Sequence, residues 1–332
     1  MKLLRVILLL FIVLSCKNEP KPAISFYYWK TRYALTTQES KLLTALKVQH
    51  LYIRYFDVGL SPQSGLPIPI SPILFVEKPT LQITPVVYIQ NKVLLNKNVN
   101  VSLLAQQIHS FINQINKRVG VSVKSIQLDC DWTENTKVHF FKLIEQLQHF
   151  SKIKITSTVR LHQVKYPEKM GVPPVAEATL MYYNMGVLSI KNTNSIYDKD
   201  IANKYVNRLH SYPKNLNIAL PIYSWVIQFR NGKIISLTSK ISEKKIANNK
   251  NYSKKKEHFY SVLNSHYLEG VFYKKGDLIK IETISEENLL EMAKILSNHL
   301  QTKPKEVVFY DLDEQNINTY EKEVFTKVVH QF

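Results

Sequence analysis

Short apolar, β-branched and aromatic runs recur at intervals of a few tens of residues along the chain, with amphipathic or turn-rich stretches between them. The runs read as strands at Ile24–Tyr28, Leu51–Phe56, Ile83–Ile89, Ser125–Asp131, Ile153–Leu161, Thr179–Tyr183, Leu216–Ile222 and Glu306–Tyr310. Nearly continuous apolar runs of this length suit strands covered on both faces, as in parallel sheets. Between them, apolar residues fall at helical spacing: Leu104, Ile108, Phe111, Ile112 and Ile115, then Phe140, Leu143, Ile144 and Leu147, then Ile201, Tyr205 and Leu209. Each set makes one buried stripe on a helix. Thr36, with Glu39 three residues on, has the form of a capping box that opens the first helix. Eightfold alternation of strand and helix predicts an α/β fold, a (β/α)8 TIM barrel.

Trp225 to Pro304 is too long for a crossover between neighbouring barrel strands. It holds the hairpin signal Asn231-Gly232 within Trp225–Leu237, a lysine-rich stretch, a strand at Gly270–Tyr273 and a helix near Glu287–Leu300. It reads as an α+β insertion after strand seven, at about 226–304, in a barrel domain spanning 23–332. An alternative count makes Gly270–Tyr273 the eighth strand and the C-terminus an appendage.

The first residues stand outside this pattern. Lys2 and Arg5 precede the apolar run Val6–Leu14, too short for a membrane helix of about 20 residues, and residues 1–15 read as a secretory signal peptide. Val13-Leu14-Ser15-Cys16 resembles a bacterial lipobox. That resemblance implies cleavage before Cys16, acylation of Cys16 with fatty acid such as palmitate, a tether over 16–22, and a place in the bacterial cell envelope with the membrane as partner through the lipid. An ordinary cleaved signal or a short anchor is the alternative.

Composition narrows the chemistry. The 8 Gly among 332 residues form no G-x-G or P-loop spacing, which argues against phosphate-cradling loops. Cys16 and Cys130 are the only cysteines, and the ten His show no H-E-x-x-H or H-x-H spacing, so neither a metal nor a cofactor is expected. The formal charge of +18, less Lys2 and Arg5 once the leader is lost, suits an anionic partner. Lys244, Lys245, Lys250 and Lys254 to Lys256, however, lie in an Asn-rich stretch with Tyr252 as the sole interleaved aromatic. This reads as a solvated loop, not a nucleic-acid site.

In a TIM barrel, functional residues gather at the C-terminal ends of the strands. Trp29, Trp132 and Trp225 all fall there, which suggests an aromatic-lined cleft for sugar rings; packing between barrel and helices is the plainer reading of each. Arg54, Asp57, Arg160, His162 and Asn184 share the rim. Along strand four, period-two geometry places Asp129, Asp131 and Thr133 on one face and turns Cys130 toward the helices. Two neighbouring carboxylates raise the proton affinity of one of them, which prepares a general acid, and Asp131 is the expected one; a purely structural pair is the alternative.

The stretch Asp129-Cys130-Asp131-Trp132 resembles the D-x-D-W core of the strand-four motif D-G-x-D-x-D-W-E of glycoside hydrolase family 18, the chitinase family. Met181-Tyr182-Tyr183-Asn184 resembles that family's M-x-Y-[DN] on strand six, and Leu220-Pro221-Ile222-Tyr223 its L-P-x-Y on strand seven. The sequence also resembles a family of uncharacterised bacterial lipoproteins. The glycosidase resemblance implies an oligosaccharide or polysaccharide ligand of N-acetylated sugar; its motifs offer Trp132, Tyr183, Asn184 and Tyr223 as contacts, and the rim position offers Trp29, Arg160, His162 and Trp225. Asp129 and Asp131 would serve substrate-assisted catalysis. The family's acid, a glutamate, is here Thr133, so Asp131 or, if the chain bends after Trp132, Glu134 has to replace it. The expected function is therefore a glycoside hydrolase of the envelope, with a non-catalytic glycan binder or a structural lipoprotein as alternatives.

If Cys16 carries the lipid, Cys16→Ser is expected to move the protein from the detergent-extracted membrane fraction to a soluble or uncleaved pool. Unchanged membrane association without a lipid adduct, checked by fractionation and mass spectrometry, refutes the assignment.

Overall fold

A computed structural model describes residues 20–332 apart from Asn192 and Lys240. The expected leader and Cys16 lie outside the described residues. Eight strands form the barrel: β1 (Ala23–Tyr28), β2 (His50–Leu60), β3 (Gln82–Ile89), β4 (Ser125–Asp129), β5 (Lys154–Arg160), β6 (Glu177–Met181), β7 (Asn215–Pro221) and β8 (Glu306–Tyr310). Each pairs in parallel with the next, and β8 closes the ring on β1 from Ala23↔Glu306 to Phe26↔Phe309. This is the (β/α)8 barrel that the alternating pattern predicts. A short strand, Pro67–Ile70, extends β2 as an antiparallel hairpin.

The outer layer follows from the helical stripes. Helix α1 (Thr37–Ala45) opens with the expected capping box: Glu39 N donates to Thr36 Oγ1 at 3.2 Å, and Thr36 N donates to Glu39 Oε2 at 3.0 Å. Helix α2 (Val101–Val119) buries Leu104, Ile108, Ile112 and Ile115 and stops at Gly120, whose φ of 73° lies in the left-handed region that glycine adopts without strain. Helix α3 (Lys137–Ser151) buries Phe140, Leu143, Ile144 and Leu147. In helix α4 (Lys199–Val206) the buried stripe is Ala202 and Val206, one residue on from the expected Ile201 and Tyr205, which sit half-buried at its edge. Tyr205 instead presents its ring to Lys165 Nζ, 4.7 Å from the centroid.

Between β7 and β8 the chain builds a five-stranded antiparallel sheet, in the order Lys233–Thr238, Trp225–Arg230, Leu278–Glu282, Phe259–Val262, Tyr252–Lys256. It has its own apolar cluster, with Val226, Ile246, Tyr260, Ile279 and Ile281. Asn231 and Gly232 turn the first hairpin with φ of 49° and 75°, the conformation that favours Asn-Gly. The lysine run is not a loop: Lys254 to Lys256 lie on an edge strand. Charge is tolerated there because one side of the strand faces water, and lysines oppose edge-to-edge pairing. Val271–Tyr273 is a strand, but it pairs with His266–Leu268 in a separate hairpin, which overturns the alternative count. The helix expected near Glu287–Leu300 is α5 (Glu286–His299), and it buries Leu289, Met292, Ala293 and Leu296 in the barrel core. It thus serves as the crossover helix into β8. Helix α6 (Lys322–Val329) ends the fold against β1. Among the described residues no helix is long and apolar enough to cross a membrane.

Candidate functional site

The C-terminal ends of the strands open into a cavity of about 900 Å3. Its floor is aromatic. Tyr310, at the end of β8, lies 5.4 Å from Tyr183 in a near-parallel stack at 27°. It also lies 5.5 Å from Trp29 and 5.7 Å from Tyr223, between ring centroids. Tyr223 in turn lies 5.4 Å from Trp225. The expected Trp29, Tyr183, Tyr223 and Trp225 thus border one space, and Tyr310, the shared neighbour of the first three, is a residue that the sequence pattern did not single out. The available signal was an aromatic residue at the end of strand eight, the same position that singled out the tryptophans.

Strand four ends at Asp129, and Asp129 and Asp131 both line the cavity, as their spacing requires. Asp129 is buried and accepts a hydrogen bond from Thr158 Oγ1 on β5 at 2.7 Å. Burial pushes its carboxyl up to about 6, with Asp131 adding to the shift and Arg160 and Thr158 opposing it. Asp131 is 44% exposed in its side chain and pairs with Arg160, whose Nε is 2.6 Å and Nη2 3.4 Å away. The carboxyl that burial pushes up is thus Asp129, the deeper of the two, and desolvation outweighs the repulsion between the pair. The Arg160 guanidinium also lies 5.8 Å from the Tyr183 ring centre. Arg54 does not line the cavity and is tied to Asp57 (2.8 Å) and the Ser71 carbonyl (3.1 Å), while Asp57 itself borders the space.

Trp132 does not join the cleft. It is fully buried among the helices, stacked on Phe140 at 5.0 Å and 20°, with Nε1 donating to the Met170 carbonyl at 2.9 Å. Its burial turns the chain out of the barrel. Thr133 and Glu134 follow on an exposed turn, where Thr133 N donates to Thr136 Oγ1 at 2.8 Å, and neither lines the cavity. The chain does bend after Trp132, but the bend carries Glu134 away from the site. Cys130 is buried, as its parity predicts.

On the opposite wall stands a second carboxyl whose proton affinity burial raises. Asp311, next after Tyr310, lines the cavity and accepts from Asn316 Nδ2 at 2.7 Å. Burial raises it to about 7, Asp313 adds to the shift and Lys30 opposes it. Lys30 bridges Glu39 (2.6 Å) and Asp313 (3.1 Å). None of these was legible as a site residue, since only closure of the barrel places Lys30 beside Asp313. Asn184 has φ of 55°, a conformation Asn tolerates better than most residues, and its Oδ1 accepts from the Tyr223 hydroxyl. His162 borders an adjoining recess of about 400 Å3 with Asp131, Arg160 and Tyr205; burial lowers its proton affinity, and Asp131 opposes that shift. Among the described residues no group of three or more His, Cys, Asp or Glu is placed to hold a metal ion.

No protein-family model matches this sequence, and no curated protein matches it. Solved structures do match the fold. A chitinase from Bacteroides thetaiotaomicron is 13% identical, with a TM-score of 0.55 over 94% of this chain and 97% of that one. A GH18 chitinase from Cycas revoluta in complex with (GlcNAc)4 is 12% identical, with a TM-score of 0.55 over 93% and 99%. The Bacillus cereus spore cortex-lytic enzyme SleL is 12% identical, with a TM-score of 0.52 over 94% and 75%. The chain therefore has a chitinase-like TIM-barrel fold.

Two outcomes are expected from this geometry. Trp132→Ala leaves a large void and is expected to cost about 3–5 kcal/mol, read as a lower Tm; a Tm within error of the parent contradicts the packing role. The Asp129 carboxyl is raised from an ordinary value of about 4, so the folded state binds its proton more tightly than the unfolded chain and loses stability as pH rises from about 4 to about 6. Asp129→Asn removes that loss: its Tm relative to the parent is expected to rise between pH 4 and pH 7. A difference that does not change with pH refutes the assignment.

Proposed function

We propose that this protein is an envelope glycan-binding protein that holds an oligosaccharide of N-acetylated sugars in the barrel cleft without hydrolysing it. One observation carries the reading: the cleft combines an aromatic floor and the Asp131–Arg160 pair with the absence of a carboxyl at Thr133, while Glu134 lies outside the cavity. Flat rings bury the apolar faces of sugars, and amides and carboxylates meet their hydroxyl and acetamido groups. Two of the similar chitinase structures are complexes with (GlcNAc)3 and (GlcNAc)4, which supports this ligand class. A cavity of about 900 Å3 has room for sugar rings and disfavours a purely structural role. The envelope location is part of the proposal and rests on the lipobox-like Val13–Cys16.

Hydrolysis is favoured by a different observation: Asp311 holds a proton near neutrality and borders the same space. General acid catalysis needs such a group beside the leaving oxygen. Calorimetric titration with (GlcNAc)2 to (GlcNAc)6, followed by product analysis, separates the readings. Binding without product is the expected result. Turnover that Asp311→Asn reduces by ~10²-fold or more while binding persists would replace the binder with a hydrolase.

A further inference from the structure

The insertion meets the barrel through a buried polar cluster at the edge of the cleft. Glu282 ends the strand Leu278–Glu282 and is 2% exposed. Its Oε2 accepts from Trp225 Nε1 at 2.8 Å, from Ser195 N at 3.0 Å and from Ser195 Oγ. Its Oε1 faces Lys280 Nζ at 2.6 Å. Lys280, 3% exposed and two residues earlier on the same face of the strand, also donates to the carbonyls of Ser189 at 3.0 Å and Thr193 at 2.6 Å. Beside them Asn194 Nδ2 donates to the Thr283 carbonyl at 2.7 Å.

These contacts join two parts of the cleft wall that are remote in sequence. Trp225 opens the first strand of the insertion. Ser195 belongs to the segment after β6, which folds back on itself: Asn184 N donates to the Ile196 carbonyl at 2.8 Å and Gly186 N to the Ser195 carbonyl at 3.0 Å. Gly186 permits this approach, because a Cβ there would stand 2.9 Å from Ser195 Cα. Asn184 carries the constraint onward by accepting from Tyr223. A buried Lys–Glu pair is poor as a source of stability, since desolvation offsets most of its attraction, yet one in which Glu282 Oε2 and Lys280 Nζ are each held by directional hydrogen bonds to other groups favours a single arrangement over its alternatives. An apolar pair would fill the same space without aiming the indole.

We infer that Glu282, clamped by Lys280, is a positioning residue that fixes the Trp225 ring and the Asn184 segment as one wall of the cleft, against which an oligosaccharide running from Tyr310 toward the insertion stacks. Its ligand rests on the glycan-binding reading; the latch itself does not. Glu282 touches no substrate in this scheme and acts through Trp225 and Ser195.

Glu282→Leu, Glu282→Gln, Trp225→Ala and the double variant Glu282→Leu/Trp225→Ala, each in the whole chain, test the inference by two readouts. Without ligand, hydrogen–deuterium exchange of residues 184–198 is expected to speed up in Glu282→Leu, and to a lesser degree in Glu282→Gln, which keeps an acceptor oxygen. With (GlcNAc)4, Glu282→Leu is expected to weaken binding roughly fivefold to tenfold, the scale of one aromatic contact, and the double variant to bind no worse than Trp225→Ala. Unchanged exchange at 184–198, or losses from the two single variants that multiply in the double, overturns the latch. So does a lower Tm in Glu282→Gln with exchange and affinity intact, the mark of a merely structural pair. If Glu282→Leu does not fold, Glu282→Gln and Trp225→Ala decide by the same measures. A parent protein that binds no (GlcNAc)4 refutes the glycan reading instead, and exchange still judges the latch.

Discussion

The parallel pairing of β8 with β1 is the constraint on which the site depends. Register Phe26↔Phe309 brings the ends of the two strands level, so the residues that follow them meet. Trp29 packs against Tyr310 at 5.5 Å, and Lys30 reaches Asp313 at 3.1 Å. The same closure sets Asp311 across the cavity from Asp129 and Asp131. Below this rim the interior is plugged by a polar relay, in which the Tyr27 hydroxyl donates to Gln127 at 2.7 Å and Gln127 Nε2 to Thr179 at 3.1 Å. The barrel is thus packed through its middle and opens at the mouth into the cleft, as this architecture requires.

At that mouth, depth decides the electrostatics. Asp129 and Asp131 are two residues apart on one face, yet they differ in surroundings: one is sealed in the strand layer and the other meets water and a guanidinium. Desolvation shifts a carboxyl upward and a nearby cation shifts it downward, and at Asp129 desolvation prevails over Arg160. The indole of Trp132 sets the boundary between them and the rest of the chain. Once it is buried on Phe140 with its N–H satisfied by Met170, Thr133 and Glu134 have to leave the barrel. The proposed loss of hydrolysis rests on that exit together with the residue type at position 133.

The insertion adds the second wall. Its sheet has its own apolar core, but its junction with the barrel is polar, through Glu282 and Lys280. An apolar junction would tolerate sliding, because the hydrophobic effect has no direction. Hydrogen bonds with fixed angles select one orientation, which is what a cleft wall bearing Trp225 needs.

The sequence by itself determined the order of strands and helices, the capping box at Thr36, the Asn231-Gly232 turn and the shared face of Asp129 and Asp131. Each of these is encoded within a few residues, by a side-chain period or by a backbone conformation that particular residues favour. The fold class followed from repetition of those local signals. Tertiary structure alone decided that Val271–Tyr273 pairs with its own hairpin and not with the barrel, that the lysine run forms an edge strand, and that Trp132 faces the helices. It also decided that burial raises the proton affinity of Asp129 and Asp311, and that Tyr310 joins the aromatic floor. These depend on burial and on distances between residues remote along the chain, such as Trp29 and Tyr310. Periodicity tells which face of a strand a side chain takes, but not how deep that face lies or what stands opposite it.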